Sequence, residues 1–452
     1  MNQTRRELQL LWKLALPTVI EQLLMTAVQY VDTAMVGRIG ANASASVGIT
    51  STMVWLSNAP LYAIGVGVIA TIARSSGAGN EKQVRLQGMQ GVILMLLVGI
   101  VEGILMVSLS PFIPRWLGAE AAILPDACWY YGIISIPMVF RSAIIILGAS
   151  LRGVKNSKGP MWINILMNVV NLALNLFLIY GKRVILIGDV SFEIWGAGLG
   201  VRGAAIATAV SFVVGGSMMI MLFTKNRELK FPLSDLHIDK RAMNLSIKIS
   251  IPVALERMCV SLGHVVFTGF VTSLGTISLA AHSIALTAEQ AFYIPGYGMQ
   301  AAVSTLIGNA LGEKSRDRVK RISRLTIGSA VLIMTISGMI LFAFASFMMS
   351  VFTKDASVIS MGTEVLRIVA ISEPFFAVVI MMEGIFNGAG YTKVPFCISA
   401  FSMWAVRVLF TWICITFFDA SLATVWMCMV ADTLSRFICC LITYKRGKWV
   451  TL

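Results

Sequence analysis

Long apolar segments alternate with short polar segments along the whole chain. Many of the apolar segments exceed the roughly 20 residues that an α-helix needs to cross a bilayer, and the polar segments leave no room for a soluble domain. The pattern predicts an all-α integral membrane protein with twelve transmembrane helices. The predicted spans are residues 10–37, 44–73, 89–112, 125–150, 160–180, 201–224, 244–272, 278–309, 322–352, 358–387, 396–418 and 421–444.

Composition and charge support a membrane protein. The chain is 57% hydrophobic and only 13% charged, whereas soluble domains carry about 25% charged residues. The net charge of +14 comes from Lys and Arg in short loops on one side of the predicted membrane, which is the positive-inside pattern. We therefore expect no nucleic-acid partner. We expect a multi-pass protein of the cell inner membrane, with both termini and the middle loop in the cytoplasm.

The two halves of the chain are repeats of one another. A shift of 235 positions places Pro17 on Pro252 and Gly77 on Gly312. Because each half has six spans, both have the same topology, which predicts two six-helix lobes related by a pseudo-twofold axis along the membrane normal. A binding cavity is expected between them. The predicted organisation is an N-lobe at 1–224, a cytoplasmic linker at 225–243 and a C-lobe at 244–452.

The first span carries two carboxylates, Glu21 and Asp32. Eleven positions are close to three helical turns, so both lie on one face with Met25 and Gln29 between them. An ionisable side chain in hydrocarbon costs roughly 2.5–3.5 kcal/mol and must face protein or water. Asp32 is therefore predicted to take up and release a cation. The alternative is a buried Asp that pairs with an Arg for structure.

The fifth span carries four carboxamides, at Asn164, Asn168, Asn171 and Asn175. Spacings of 4, 3 and 4 residues place all four on one stripe of the helix. The repeat shift places no carboxamide at the equivalent positions of the second half. The repeat partner of Asp32 is likewise uncharged, since it is Phe267. The stripe is either a binding surface or a set of hydrogen bonds that join neighbouring membrane helices.

Several sequence segments recur in the order typical of one transporter family. They are VDTAMVG (31–37), AAHSIAL (280–286) and RSSGAGNEKQV (74–84) with its repeat partner NALGEKSRDRV (309–319). Over essentially the whole chain these segments resemble the multidrug and toxic compound extrusion (MATE) family, with the NorM-like and DinF-like branches both open. The resemblance implies a pair of six-helix lobes that export organic cations or drugs, driven by inward Na⁺ or H⁺.

The resemblance also implies a cation-coupling site. Asp32 matches the carboxylate of the family's first helix, Asn171 and Asn175 match positions that hold cation-binding groups, and Thr208 resembles a hydroxyl ligand of that site. Many relatives in the archaeal and DinF-like branch carry an acid where this chain has Asn175, so a two-carboxylate site is lost here. If the protein is sodium-coupled, Asp32, Asn171 and Asn175 are the expected Na⁺ ligands, since carboxamide oxygens suit a hard cation. Proton coupling stays equally open.

Further polar residues of the spans are candidates for a substrate cavity. Glu256 is the repeat partner of Glu21, which favours a structural role for both as much as a substrate-facing charge. His264 is either a proton carrier or a hydrogen-bonded core residue. The candidate cavity residues are Met25, Gln29, Asn168, Glu256 and His264.

The tenth span adds two acids, Glu373 and Glu383. Some branches of the family hold a cation-site acid on this helix, but its position falls at Phe376 in this chain. Neither acid is therefore expected to couple ions, and Glu383 is expected to form a buried pair with Arg407.

The predicted function is secondary active antiport of amphiphilic, often cationic compounds by alternating access. The chain has no phosphate loop, nucleophile elbow or metalloprotease helix, so we expect no enzyme and no cofactor beyond the coupling Na⁺ or H⁺. The expected partners are small organic cations and the lipid bilayer, and the expected state is a monomer. Two alternatives are a lipid or lipid-linked glycan flippase, which favours a cavity lined with Arg or Lys, and an intramembrane enzyme, which requires two convergent catalytic groups.

Overall fold

The computed structural model describes residues 3–187, 190–418 and 420–450. Nearly all of them are helical, apart from one antiparallel β-hairpin formed by β1 (Gly181–Ile187) and β2 (Val190–Ala197). The helices are α1 (Gln3–Gly37), α2 (Ala41–Gly77), α3 (Glu81–Leu109), α4 (Ile113–Trp116), α5 (Leu124–Ser135), α6 (Met138–Gly153), α7 (Lys158–Leu178), α8 (Gly200–Lys225), α9 (Lys240–Ser273), α10 (Thr276–Gly312), α11 (Arg316–Phe352), α12 (Ala356–Gly388), α13 (Lys393–Phe401), α14 (Leu409–Phe418) and α15 (Leu422–Arg446).

The helices confirm the all-α membrane class. Among the described residues, ten helical segments are long and apolar enough to cross a bilayer, and α5 with α6 forms an eleventh that bends by 51°. The bend lies at Pro137, which has no N–H to continue the helical ladder. α10 has 37 residues but is less apolar, since it contains His282 and Glu289. α13 and α14 form one span joined by a π-helical turn, Ser402–Val408.

Contacts divide the chain into two compact units. The first unit comprises residues 1–23, 69–80 and 245–452, and the second unit comprises residues 24–68 and 81–244. These units do not coincide with the predicted N-lobe, linker and C-lobe, because the start of α1 and the end of α2 pack on the C-terminal half. The hydroxyl of Thr18, for example, donates to the carbonyl of Gly298 over 2.6 Å.

The predicted linker packs within the second unit. The Gln90 side chain on α3 donates to the carbonyl of His237 over 3.0 Å and accepts from the backbone N–H of Asp239 over 3.3 Å. This segment is therefore hydrogen-bonded to α3, and its role as a linker between two lobes stays a prediction.

The end of α2 and the end of α10 meet in a reciprocal contact within the first unit. A Cβ atom on Gly77 would collide with the backbone of Asn309, and one on Gly312 would collide with the backbone of Arg74. Under the repeat shift of 235 positions, Gly77 corresponds to Gly312 and Arg74 corresponds to Asn309. The two contacts are therefore equivalent. The repeat is thus visible in how these two helix ends approach each other.

Gly77→Ala is expected to destabilise the first unit by about 1–3 kcal/mol, because the added methyl group must displace backbone of α10. The measurement is thermal unfolding of the purified protein in detergent. Gly328→Ala on α11 is the control, since open space surrounds that position and alanine favours a helix over glycine. Equal melting temperatures for the two variants would exclude the close contact.

Candidate cation site

An apolar cluster in the second unit holds the ends of α1, α7 and α8 together. Met35 and Val36 of α1 pack with Ile179, which follows α7, and with Val201 and Ala204 of α8. This packing fixes the polar residues that lie one to two turns away on the same three helices.

α7 and α8 also approach each other closely within this cluster. A Cβ atom on Gly203 would collide with the backbone of Leu178, so glycine is required for this approach. The close approach brings the side chains of α8 within reach of the carboxamide stripe on α7.

Asp32 of α1 meets two of the carboxamides directly. The Asn175 amide nitrogen donates to Asp32 Oδ1 over 2.7 Å and to Asn171 Oδ1 over 3.1 Å. The Asn171 nitrogen then donates to Thr208 Oγ1 of α8 over 3.2 Å. Asn171 and Asn175 are only 5% and 2% exposed. The structure therefore brings the four predicted coupling residues into one hydrogen-bonded group.

The carboxamide of Asn171 also lies against the acid, and its oxygen and nitrogen are distinguished by their partners. With the nitrogen toward Asp32, it donates to the two carboxylate oxygens over 3.0 and 3.1 Å, and the amide oxygen accepts from the Thr208 hydroxyl over 3.2 Å. Asn171 is thus within hydrogen-bond distance of both Asp32 and Thr208.

The donor set suits a hard monovalent cation. Asp32 supplies two carboxylate oxygens, and Asn171, Asn175 and Thr208 each carry one further oxygen within the same hydrogen-bonded group. The Asn175 Oδ1 atom is buried and has no hydrogen-bond partner, and the amide nitrogen is the atom of Asn175 that faces Asp32. Hard cations prefer such oxygen ligands.

Among the residues that the structure describes, no basic side chain forms an ion pair with Asp32. The ion pairs within the described part of the chain involve other acids. The alternative of a structural Asp–Arg pair therefore finds no partner among these residues.

Sequence reasoning missed Tyr130 of α5. Its ring packs on the apolar cluster at the ends of α1, α7 and α8, which lies one turn from Asp32. Trp129, Tyr130 and Tyr131 form a run of three aromatic residues, and nothing in that run indicates which ring joins the cluster.

The candidate cavity residues of the second unit do not join the hydrogen bonds around Asp32. Gln29 is exposed and Met25 is half-buried on α1. Asn168 is half-buried on α7, where its amide nitrogen has no hydrogen-bond partner. Asn164, one turn earlier, donates to the carbonyl of Pro160 over 3.0 Å, which agrees with a structural role.

The other two candidate cavity residues lie on α9 in the first unit. Glu256 is half-buried and accepts from the Ser399 hydroxyl of α13 over 2.6 Å, whereas His264 is exposed. A cavity that contains residues of both halves stays a prediction.

The expected pair of Glu383 with Arg407 is wrong. Arg407 binds Asp432 of α15 instead, with Nη2 and Oδ2 2.7 Å apart, and Arg436 binds the same carboxylate over 2.9 Å. Glu383 accepts from Gln300 over 3.1 Å. Arg407 lies in the π-helical turn, where an extra residue rotates side chains out of the α-helical register. Sequence reasoning missed Asp432, although its i,i+4 spacing from Arg436 is a recognisable pairing signal.

Comparison with known families gives a match over most of the chain. The MatE family model matches twice, at residues 17–177 and 252–413. The two matches begin 235 residues apart, which is the shift found from the repeat. The family model therefore recognises each half separately.

Curated relatives cover nearly the full length. A probable multidrug resistance protein NorM of Thermotoga maritima is 27% identical over 437 residues, which is 97% of this chain and 92% of the relative. The uncharacterised transporter YisQ of Bacillus subtilis is 22% identical over 442 residues, covering 97% and 94% of the two chains.

Solved structures show the same fold. A MATE protein crystallised in complex with MaL6 superposes with a TM-score of 0.89 at 20% identity, over 97% of this chain and 96% of the other. A multidrug resistance MATE transporter of the MOP superfamily in an outward-facing conformation also gives 0.89 at 20% identity, over 99% and 97%.

Proposed function

Because the chain belongs to the MatE family, whose model matches both of its halves, we propose that it exports amphiphilic, often cationic organic compounds in exchange for Na⁺ or H⁺. It is a multi-pass membrane transporter and not an enzyme. Several of its relatives are named as multidrug resistance proteins, which supports a broad range of organic substrates. The coupling to an ion gradient rests on the site itself.

The observation that carries this proposal is the placement of Asp32. Its carboxylate is the acid of a group that otherwise contains only the neutral side chains of Asn171, Asn175 and Thr208. One bound Na⁺ or H⁺ neutralises it, and release of the ion restores a negative charge within the membrane. The free energy of the site therefore depends strongly on whether the ion is bound.

The carboxamides beside the acid give it neutral partners. Asn175 donates to Asp32 over 2.7 Å, so the ionised carboxylate keeps a hydrogen bond when no cation is bound. A carboxamide also holds an acceptor oxygen, which suits a hard cation.

Purified protein in proteoliposomes tests the proposal. Transport of a fluorescent organic cation such as ethidium is followed under a Na⁺ gradient alone and under a pH gradient alone. We expect one gradient to drive uphill transport and an ionophore for that ion to abolish it. If neither gradient moves the dye against its concentration, the antiport proposal is wrong.

Thr208→Val is expected to weaken the apparent affinity for the coupling ion. The variant loses a hydroxyl that contacts Asn171, and a net hydrogen bond of about 1 kcal/mol corresponds to roughly fivefold in affinity. The measurement is the ion-concentration dependence of transport. Thr208→Ser keeps the hydroxyl and should keep the wild-type dependence, so equal weakening in both variants would count against the hydroxyl as a ligand.

A further inference from the structure

A groove of about 900 Å³ lies on the surface of the first unit and is formed by α11, α12 and α15. Sites for small molecules have volumes of roughly 300–1,000 Å³. Most of the wall is one face of α12, because its lining positions follow helical spacing: 356, 360, 363, 364, 367 and 371. No residue of the group around Asp32 lines this groove, so it is a separate site.

Two opposite charges lie on this face of α12, one turn apart. Glu364 and Arg367 are both exposed. The Arg367 guanidinium lies over the ring of Phe342 on α11, 5.6 Å from the ring centroid. Stacking uses the flat face of the guanidinium and leaves its N–H groups, which point outward in the plane, for another partner.

Neither charge has an opposite charge of the chain as its partner. In the ranges 3–187, 190–418 and 420–450, Glu364 and Arg367 form no ion pair and no hydrogen bond through their side chains. Charged side chains within membrane spans almost always face protein or water and pair with another group. A ligand that carries both signs of charge would supply the missing partners.

Both residues lie near the edge of the hydrocarbon core. α12 has 33 residues and is about 50 Å long, whereas the core is about 30 Å thick. If the excess is shared between both ends, the core begins about seven residues into the helix, close to Glu364. Side chains of a helix lean towards its N-terminus, so both charges extend towards the nearby membrane surface, where lipid head groups lie.

The groove is polar at the start of α12 and apolar deeper in the helix. Ser360 lies one turn before Glu364, whereas Ile371 lies one turn after Arg367 and is 65% exposed. α11 shows the same order in the opposite direction, since Ser346 lies nearer its end than Phe342 does. This order of hydroxyl, charged and large apolar side chains matches an amphiphile that stands upright in one leaflet.

We propose that this groove binds a phospholipid with an ethanolamine head group. The Arg367 guanidinium holds the phosphate through its planar fork of N–H donors. The ammonium group, which lies further from the acyl chains than the phosphate does, donates to the Glu364 carboxylate one turn nearer the membrane surface. The acyl chains lie along Ile371 and Met427, which are 65% and 56% exposed.

The two charges together select this head group. Arg367 alone would accept the phosphate of any phospholipid. A glycerol head group brings no cation to Glu364, whose carboxylate would then lack a partner at the edge of the hydrocarbon. A choline head group is cationic but has no N–H to donate. Of these three head groups, ethanolamine alone supplies a phosphate for Arg367 and N–H donors for Glu364.

Native mass spectrometry of the full-length protein in detergent tests this site. The protein is titrated with dioleoyl phospholipids that differ only in their head group, which is ethanolamine, choline or glycerol. We expect the wild type to bind the ethanolamine lipid about tenfold more tightly than the other two, which is the effect of one hydrogen bond between charged groups. Glu364→Gln should bind the ethanolamine and choline lipids equally, and Arg367→Gln should bind all three about tenfold more weakly than the wild type.

Arg324→Gln is the matched control, since Arg324 is an exposed arginine of α11 that does not line the groove. This variant should bind the three lipids like the wild type. Equal weakening in Arg324→Gln and Arg367→Gln would mean that lipid is attracted to basic side chains in general, which contradicts the site.

The remaining outcomes also overturn the proposal. Equal binding of the three lipids by the wild type, tighter binding of the glycerol lipid, or an ethanolamine preference that survives Glu364→Gln would each exclude the assigned head group. Displacement of the lipid by inorganic phosphate would identify a site for a free anion instead. Both substituted residues are exposed, so we expect the variants to fold, and Glu364→Gln tests the preference even if Arg367→Gln cannot be purified. None of these results depends on ion-coupled export.

Discussion

Asp32→Asn is expected to reduce ion-driven export to the level of vesicles without protein, while the variant still inserts into the membrane. Asparagine keeps the size of the side chain and can still accept from Asn175, which donates to Asp32 over 2.7 Å. Asparagine carries no charge, however, so the bound cation loses the electrostatic attraction of the carboxylate. An ionised side chain in hydrocarbon costs roughly 2.5–3.5 kcal/mol, and a bound cation that offsets this cost binds about a hundredfold more tightly to the acid than to the amide.

Asp126→Asn is the matched control for this experiment. Asp126 lies in the same unit and its side chain is 48% exposed, with Arg202 3.7 Å away. Such a surface pair contributes little, so this variant should export like the wild type. Full export by Asp32→Asn, at equal amounts of protein in the membrane, would remove Asp32 from the coupling mechanism.

Asp432→Ala is expected to have the largest effect on stability. Its carboxylate is fully buried and binds both Arg407 and Arg436, and it also accepts from Ser402. Without it, two buried guanidinium groups lose the carboxylate to which both are bonded. Removing one partner of a buried ion pair typically costs about 3–5 kcal/mol, and we expect a loss of at least this size in thermal unfolding of the purified protein.

Glu81→Ala is the control for the buried pair. Glu81 and Arg85 form the same i,i+4 type of ion pair as Asp432 and Arg436, but their side chains are 76% and 48% exposed. Exposed pairs are worth about 0–1 kcal/mol, so this variant should melt near the wild type. Equal losses in the two variants would show that burial does not determine the contribution of the pair.

The candidate site could be predicted because its signals are local. Asp32 is conspicuous as an acid within an apolar span, and helical spacing alone aligns Asn171 with Asn175. The structure places these residues together with Thr208, although their role in coupling stays a prediction. Helical periodicity cannot specify which amide atom of Asn171 faces the acid, because that depends on the ion and on neighbours from other helices.

The internal repeat predicted which segments of the two halves are equivalent. The 235-residue shift reappears in the two matches of the family model and in the reciprocal contacts of Gly77 and Gly312. The contact units differ from the predicted lobes because residues 1–23 and 69–80 pack with the C-terminal half. A repeat identifies equivalent segments, but packing decides which segments share a core.

The missed features depend on geometry that no spacing reveals. The partner of Arg407 could not be identified because the π-helical turn at Ser402–Val408 changes the helical register. The β-hairpin at Gly181–Ala197 lies between the predicted spans 160–180 and 201–224, where the pattern of apolar residues predicts no element. The burial of Glu373, which is 1% exposed, is a property of the packed helices that its position in the sequence does not reveal.

Equilibrium ion binding to the purified protein tests whether Asp32 holds the coupling ion. Binding of radiolabelled Na⁺ and uptake of protons are measured without substrate for the wild type, Asp32→Asn and Asp126→Asn. We expect the wild type and Asp126→Asn to bind one more Na⁺ or H⁺ per chain than Asp32→Asn, and a transported organic cation to release this ion. Equal ion binding by all three proteins would contradict it.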